Sequence, residues 1–481
     1  MKKIVLFGIS TVLSFSAFIS PSYASVGDGK VSAFIGDQNY SSNVFDLNEK
    51  AGVVGAPKRQ PWSGTFWPLR SGSTANPYAA RIGKSKVGYI VSQTNGASTN
   101  MRLFENRMQR ILSKMAAGKL SDQMIDEMAP SEKYDLYLGD HDFSFTHAEW
   151  QSVAEHKDFS GYMAMWEGTC HGWSMAAINE PRPAKAFTVP SLDGKYMIPF
   201  YPHDLKALST RLWGNSLIQD FTISQGLRCN TRRAEKDKVT GKILNETCEG
   251  VNPGDFHVSL LELVGARKES FVINKKSNVL DVWNQPVAGY ELNYFNPMTE
   301  EKGTLEKSVV RANAFKDPFQ KFRAEGTKSL VGVEMTLKYT AETFPSHAAT
   351  DSDQDDKIND LKIRYDLELD ANNQVIGGEW RGKEAPGKKT ETPDVAKYPG
   401  FLWKFIDQHP KAYSIADFDF EGTDLSKVSR DVLVAASKKA SQFRYNHYNW
   451  DENGNATTVK RTELKPQPLA KVLDALFELA K

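Results

Sequence analysis

The chain has 481 residues, 40% of them hydrophobic and 25% charged, with a formal net charge of +1. That length and apolar share supply one large core or two ordinary ones and exclude disorder over most of the chain. Near-neutral charge argues against nucleic acid as the main partner, and beyond the N-terminal twenty residues no run is long and apolar enough to cross a bilayer.

Lys2 and Lys3, the apolar run Ile4 to Ile19 and the small-residue site Ser22-Tyr23-Ala24 read as a cleavable signal peptide over residues 1–24. The mature protein is expected to begin at Ser25 and to be secreted or periplasmic. Residues 25–60 are polar and weakly patterned, an expected arm or pro-segment, with ordered structure beginning near Pro61. From Asn100 to Ala117 the residues Met101, Phe104, Met108, Ile111, Leu112 and Met115 recur at helical spacing, with Ser98 and Thr99 as caps. Shorter helical patterns follow at Asp122–Met128 and Glu132–Leu138, then a helix behind Cys170, and another from His203 to Trp213 stopped by Gly214.

After residue 250 the pattern changes to β-branched and aromatic runs between turn residues: His257–Gly265, Ser270–Asn274, Val279–Trp283 and Gly289–Phe295. Strands are expected again at Leu330–Thr340, Ile363–Asp370 and Val375–Trp380, the last two joined by the turn Ala371-Asn372-Asn373. Beyond Pro399 the chain reads as helical, at Leu425–Phe443 and Leu469–Ala480, a C-terminal helical extension over residues 406–481 that could stand as a separate unit.

Three cysteines remain after the signal, and Cys229 and Cys248 bracket a strongly polar stretch. Pairing them is the economical reading, since a disulfide closing such a loop contributes about 3 kcal/mol in an oxidising compartment. Cys170 is then the odd thiol. It lies in Trp166-Glu-Gly-Thr-Cys170-His-Gly-Trp173, where a glycine-containing loop enters a helix. Backbone N–H donors and the positive helix end there are expected to lower its pKa and make it a nucleophile.

A helical region with such a cysteine, followed by a sheet with a histidine, is the order in which papain-like enzymes build their sites. His257, at the start of an expected strand, fits the base, and Asn284 the orienting partner of its imidazole, with the carboxylate of Asp281 as competitor. His171, adjacent to the nucleophile, reads as structural. Trp62, Trp67, Trp166 and Trp173 are candidates for an apolar slot excluding water. Asp351-Ser-Asp353-Gln-Asp355-Asp356 has the alternation of a calcium loop but places Asp356 where the turn glycine belongs and Lys362 where the bidentate glutamate belongs. A solvated acidic loop is the default, a looser calcium site the alternative; the chemistry itself requires no cofactor.

The segment Val282-Trp-Asn-Gln-Pro-Val-Ala-Gly-Tyr290 resembles the peptide signature of the transglutaminase elicitor family, oomycete cell-wall transglutaminases with bacterial relatives. Other blocks resemble that family in order: Pro61-Trp-Ser-Gly-Thr-Phe-Trp-Pro68, Pro130-Ser-Glu-Lys-Tyr-Asp135, Thr169-Cys-His-Gly-Trp173, Asp204-Leu-Lys-Ala-Leu208 and Ile376-Gly-Gly-Glu-Trp380. The resemblance implies an α+β fold with a papain-like core, a catalytic domain over 61–405 and Cys170 as nucleophile. Its chemistry is transfer of a glutamine γ-acyl group to a lysine amine through a thioester, on protein substrates carrying glutamine and lysine such as cell-surface or envelope proteins. It departs from the family at Ala288, where the signature carries a basic residue, and this removes support for plant elicitor recognition. The same residues admit a cysteine protease or glutamine deamidase, and, in another class, an inactive secreted binding protein. A bond from Cys170 to Cys229 or Cys248 would favour the last.

Overall fold

The computed structural model describes residues 30–37, 39–78, 97–155, 164–215, 222–231, 234–277, 281–381, 398–405, 430–442, 448–450, 456–458 and 469–481. The expected signal peptide lies outside them. Among the described residues no helix is long and apolar enough to cross a membrane.

Among the described residues twelve α-helices follow one another: α1 Lys30–Ile35, α2 Val44–Ala51, α3 Ala97–Ala116, α4 Asp122–Asp126, α5 Pro130–Leu138, α6 Ser144–Glu155, α7 Cys170–Asn179, α8 Pro202–Asn215, α9 Pro253–Leu260, α10 Leu305–Ser308, α11 Arg430–Gln442 and α12 Leu469–Leu479. Seven strands make the main path of an antiparallel sheet: β1 Thr222–Gly226, β2 Val272–Asn274, β3 Asn284–Phe295, β4 Ser329–Thr340, β5 Ile358–Leu369, β6 Val375–Arg381 and β7 Phe401–Phe405, in the spatial order β6-β5-β4-β3-β2-β7-β1. This is a mixed helix and antiparallel-sheet fold.

β3 carries the architecture because it serves both halves of the sheet. Its first residues pair with β2, Asn284 opposite Asn274 and Pro286 opposite Val272, and from Val287 onward it pairs with β4. The register shifts between Val287 and Gly289, a bulge that bends the strand where it changes partners. A Cβ at position 289 would stand 2.7 Å from the Gly55 carbonyl oxygen, so glycine is required there.

Three of the apolar clusters among the described residues position the site. Sheet residues Tyr290, Leu292, Val333, Leu337, Tyr365 and Leu367 bury against Phe256, Leu260 and Leu263 of α9 and the π-helical turn Leu261–Arg267 behind it. The helices form a second core from Phe104, Met108, Tyr134, Trp150, Leu205 and Leu208. Between them a smaller cluster joins Trp62, Cys170, Trp173 and Trp213 to Val272, Val282 and Trp403, so the helical lobe meets the sheet at the odd cysteine. Each fully buried aromatic contributes about 2–3 kcal/mol of transfer free energy.

Several expectations are corrected here. Residues 30–51 are not a loose arm: Val31, Phe34, Val44 and Leu47 bury into the sheet-side core, so ordered structure starts well before Pro61. The run His257–Gly265 is helical rather than a strand. Phe401–Phe405, expected in a helical tail, is the strand β7. The C-terminal helices are not a separate unit, because Leu433, Val472, Leu473, Leu476 and Phe477 complete the helical core and the Ala480 carbonyl accepts from the Ala184 and Lys185 N–H groups.

Candidate active site

α7 begins at Cys170 itself. Thr169 precedes it, its N–H donating to the Phe66 carbonyl, and this ties the helix start to the buried segment Pro61–Pro68. Trp173 Nε1 donates to the Trp62 carbonyl at 3.3 Å. α7 lies against α8 so closely that a Cβ at Gly172 would stand 2.1 Å from the Thr210 carbonyl oxygen and 2.7 Å from the Gly214 nitrogen. Glycine two residues past the cysteine is therefore a packing requirement.

The sulfur faces the entrance of β3. Asn284 Nδ2 donates to Cys170 Sγ at 3.5 Å, and Sγ lies 3.9 Å from the Val282 carbonyl oxygen. Trp403 Nε1 donates to Asn284 Oδ1 at 2.9 Å, so the amide is oriented with its N–H2 toward the sulfur. The thiol is 6% exposed. Burial pushes its pKa up, against the pull of the Asn284 backbone and side-chain N–H groups and the His171 N–H, and the Glu342 charge adds to the rise. This corrects the expected depression: the donors at the helix start are present, but desolvation outweighs them.

Cys229 and Cys248 are paired, and Cys170 is a free thiol. Arg228, just before the disulfide, has its pKa lowered by burial, while the charges of Glu167, three residues before the nucleophile, and of Asp281 act in the opposite sense.

His257 stands elsewhere. It lies on α9, fully buried, with Nδ1 2.8 Å from Tyr365 Oη on β5 and no hydrogen-bond partner at Nε2. Tyr365 is level with Val333 and Tyr294, ten residues along β3 from Asn284. Cys170 and Asn284 are brought together; His257 hydrogen-bonds neither. Asn284 accordingly touches the sulfur rather than orienting an imidazole. His171 packs its ring toward Gly214 of α8, away from the sulfur. Of the tryptophans, Trp62 and Trp173 share the cluster of Cys170, Trp67 belongs to another with Tyr78, and Trp166 is half-buried two residues before Gly168.

Sequence reasoning missed Trp403, Glu342, Gln285 and Lys275. Gln285 Nε2 donates to Glu342 Oε1 at 2.6 Å, and Lys275 Nζ lies 5.2 Å from the Trp283 ring centroid. A lysine pair at a strand end and a lone glutamate after a strand carry no motif; only the β2–β3 and β4 registers bring them to the cysteine.

The acidic loop is held by the chain's own cations. Arg182 Nη1 lies 2.6 Å from Asp351 Oδ1 and Nη2 lies 2.8 Å from Asp353 and 2.5 Å from Asp356, while Lys206 Nζ lies 2.5 Å from Asp351 Oδ2. Asp356 also accepts from the Ser63 N–H, so this network braces the Pro61–Pro68 wall. With Asp351 and Asp356 buried, removing the guanidinium leaves unpaired charge inside. Arg182→Ala is expected to cost about 3–5 kcal/mol, read by denaturant unfolding. Millimolar calcium is expected to leave the wild-type Tm unchanged by differential scanning fluorimetry, because guanidinium and ammonium already neutralise these carboxylates.

The transglutaminase elicitor family matches this sequence over residues 30–430. The chain belongs to the transglutaminase elicitor family. Family membership thus extends through α1 and α2, which the sequence reading had set apart, and stops at the first residue of α11. Among solved structures the chain is similar to the GP42 transglutaminase from Phytophthora sojae, at 20% identity and a TM-score of 0.49, over 85% of this chain and 97% of that one. No curated protein matches the chain significantly. The segment resembling the family's signature is interior here: Val282 and Asn284 through Tyr290 are buried, with Trp283 partly accessible.

Proposed function

We propose that this family member is a secreted protein-glutamine γ-glutamyltransferase in which Cys170 is the nucleophile. The observation that carries this reading is the approach of Asn284 Nδ2, from within the family's signature segment, to the Cys170 sulfur at the start of α7. The Cys170 sulfur attacks the γ-carboxamide carbon of a protein glutamine, the thiol proton passes to the departing nitrogen, and the C–N bond breaks to release ammonia. The resulting thioester passes its acyl group to a lysine amine, forming an isopeptide link.

A tetrahedral intermediate needs donors beside the sulfur. Four indole N–H groups nearby are committed: Trp173 to the Trp62 carbonyl, Trp62 to the Glu180 carbonyl, Trp213 to Glu180 and Trp403 to Asn284. Asn284 Nδ2 and the backbone N–H groups at the helix start, which act on the sulfur, are the donors we assign to the oxyanion. A thiol kept protonated by burial until substrate arrives, beside apolar walls that limit water, suits aminolysis over hydrolysis. The free state of Cys170, with Cys229 and Cys248 paired, weighs against an inactive binding protein, and a disulfide fits an oxidising compartment.

The test is incubation of the mature chain with a glutamine-rich protein and a fluorescent primary amine. Wild type is expected to label glutamines, and Asn284→Ala to lose about 10²–10³-fold in rate, as for removal of one oxyanion donor. Wild-type rate in Asn284→Ala would remove that residue from the mechanism; backbone cleavage or plain deamidation would reassign the chain to a hydrolase.

A further inference from the structure

Next to the nucleophile the chain builds a receptacle for an ammonium group and fills it with its own lysine. Lys275 follows β2, and its Nζ stands 5.2 Å from the ring centroid of Trp283 and 5.5 Å from that of Tyr339. Two aromatic faces at this distance attract a cation through their quadrupoles. The third element is Glu342, whose charge acts on Lys275, on Tyr339 and on Cys170. Its Oε1 is fixed by Gln285 Nε2, directly after Asn284.

Trp283 lies between Val282, whose carbonyl approaches the sulfur, and Asn284, whose amide donates to it, and its ring packs 6.0 Å from that of Phe66, whose carbonyl accepts from the Thr169 N–H just before the nucleophile. The cage and the thiol therefore share one stretch of chain.

Lys275 is a loosely bound occupant. Its Nζ is held by the two rings and by attraction to Glu342, with no ion pair among the described residues, and Lys276 and Lys357 repel it. Burial, the largest influence on it, pushes its pKa down, while Glu342 and Cys170 act in the opposite sense. Lys275 is half-buried.

We propose that the Trp283, Tyr339 and Glu342 cage is the subsite for the ε-ammonium of the acceptor lysine, and that Lys275 is a resident stand-in which the incoming lysine displaces. This rests on the acyl-transfer reading above. In the transfer step the bound ammonium gives one proton to the Glu342 carboxylate, its nitrogen bonds to the thioester carbon, and the carbon–sulfur bond breaks. The nitrogen's second proton passes to the departing thiolate, restoring the Cys170 thiol, and Glu342 returns its proton to water.

The test reads binding first, so that it stands apart from turnover. Calorimetric titration of the mature chain with n-butylammonium, against butanol as neutral control, is expected to give about tenfold tighter binding to Lys275→Ala than to wild type. The gain should vanish when Trp283→Leu or Glu342→Gln is added to Lys275→Ala. Equal affinity in wild type and Lys275→Ala, or a gain that survives both added substitutions, overturns the proposal. In amine incorporation, Lys275→Ala should lower KM for the amine by a similar factor. If the binding pattern holds while wild type incorporates no amine, the cage is established and the acyl-transfer reading fails.

Discussion

Cys170→Ala is expected to abolish amine incorporation, lowering the rate by a factor on the order of 10⁴ or more, and to leave the chain folded. The rate follows from the chemistry: without the sulfur there is no thioester, and the donors facing it have nothing to activate. Folding is retained because the substitution removes one atom from a site 6% exposed and adds none, so the transfer loss is about 1 kcal/mol. The Trp173, Trp62 and Trp403 contacts that position the helix do not involve the sulfur. Circular dichroism with a melting curve, beside the incorporation assay, separates the two effects. Residual cross-linking at a few per cent of wild type would show that another group forms the acyl intermediate.

His257→Ala is expected to act on stability instead. The imidazole is fully buried and its Nδ1 meets Tyr365 Oη at 2.8 Å, so truncation opens a cavity and strands a buried hydroxyl. The combined cost is about 3–5 kcal/mol. Burial lowers the pKa of His257 from its ordinary value to about 3, and His203, also buried, is lowered to about 3, with Lys206 adding to the effect. A folded-state pKa below the unfolded value means the unfolded chain binds the proton more tightly. The stability these neutral rings confer is therefore full above about pH 6.5 and is lost as pH falls toward 3. Unfolding by urea at pH 7, 6, 5 and 4 should show that decline in wild type, and a shallower slope in His257→Ala. If His257→Ala instead kept the wild-type Tm and lost only turnover, the imidazole would be a catalytic base.

What the sequence disclosed follows from how local each signal is. The helix at Cys170, the hairpin joining β5 and β6 and the Cys229–Cys248 pair rest on neighbouring residues and are found as expected. The stretch from His257 was misread because a short run apolar on every face fits a buried helix as well as a strand. The decisive signal lay just upstream. Asn252 accepts from the Gly254 N–H as an N-cap, and Pro253 occupies the first helical position, a pair that starts helices and not strands. Asn284 was legible as a site residue from the papain-like order of cysteine, histidine and asparagine, there as the orienting partner of His257. Its role was not, since only the fold shows that Trp403 takes the amide oxygen and leaves the nitrogen for the sulfur. The raised thiol pKa was hidden for the same reason: helix-start donors are local, whereas the desolvation that outweighs them comes with burial in a cluster that includes Val282 and Trp403, more than a hundred residues away in sequence.

The claim on which the rest depends is that acyl transfer passes through a thioester on Cys170. Intact-mass spectrometry of the mature chain, mixed with a glutamine peptide without amine and quenched in acid, tests it directly. The expected result is an adduct equal to the peptide less ammonia, mapped to Cys170, discharged by a primary amine and delayed in Asn284→Ala. Amine incorporation by wild type with no such adduct at Cys170, or with an adduct at another residue, would contradict it.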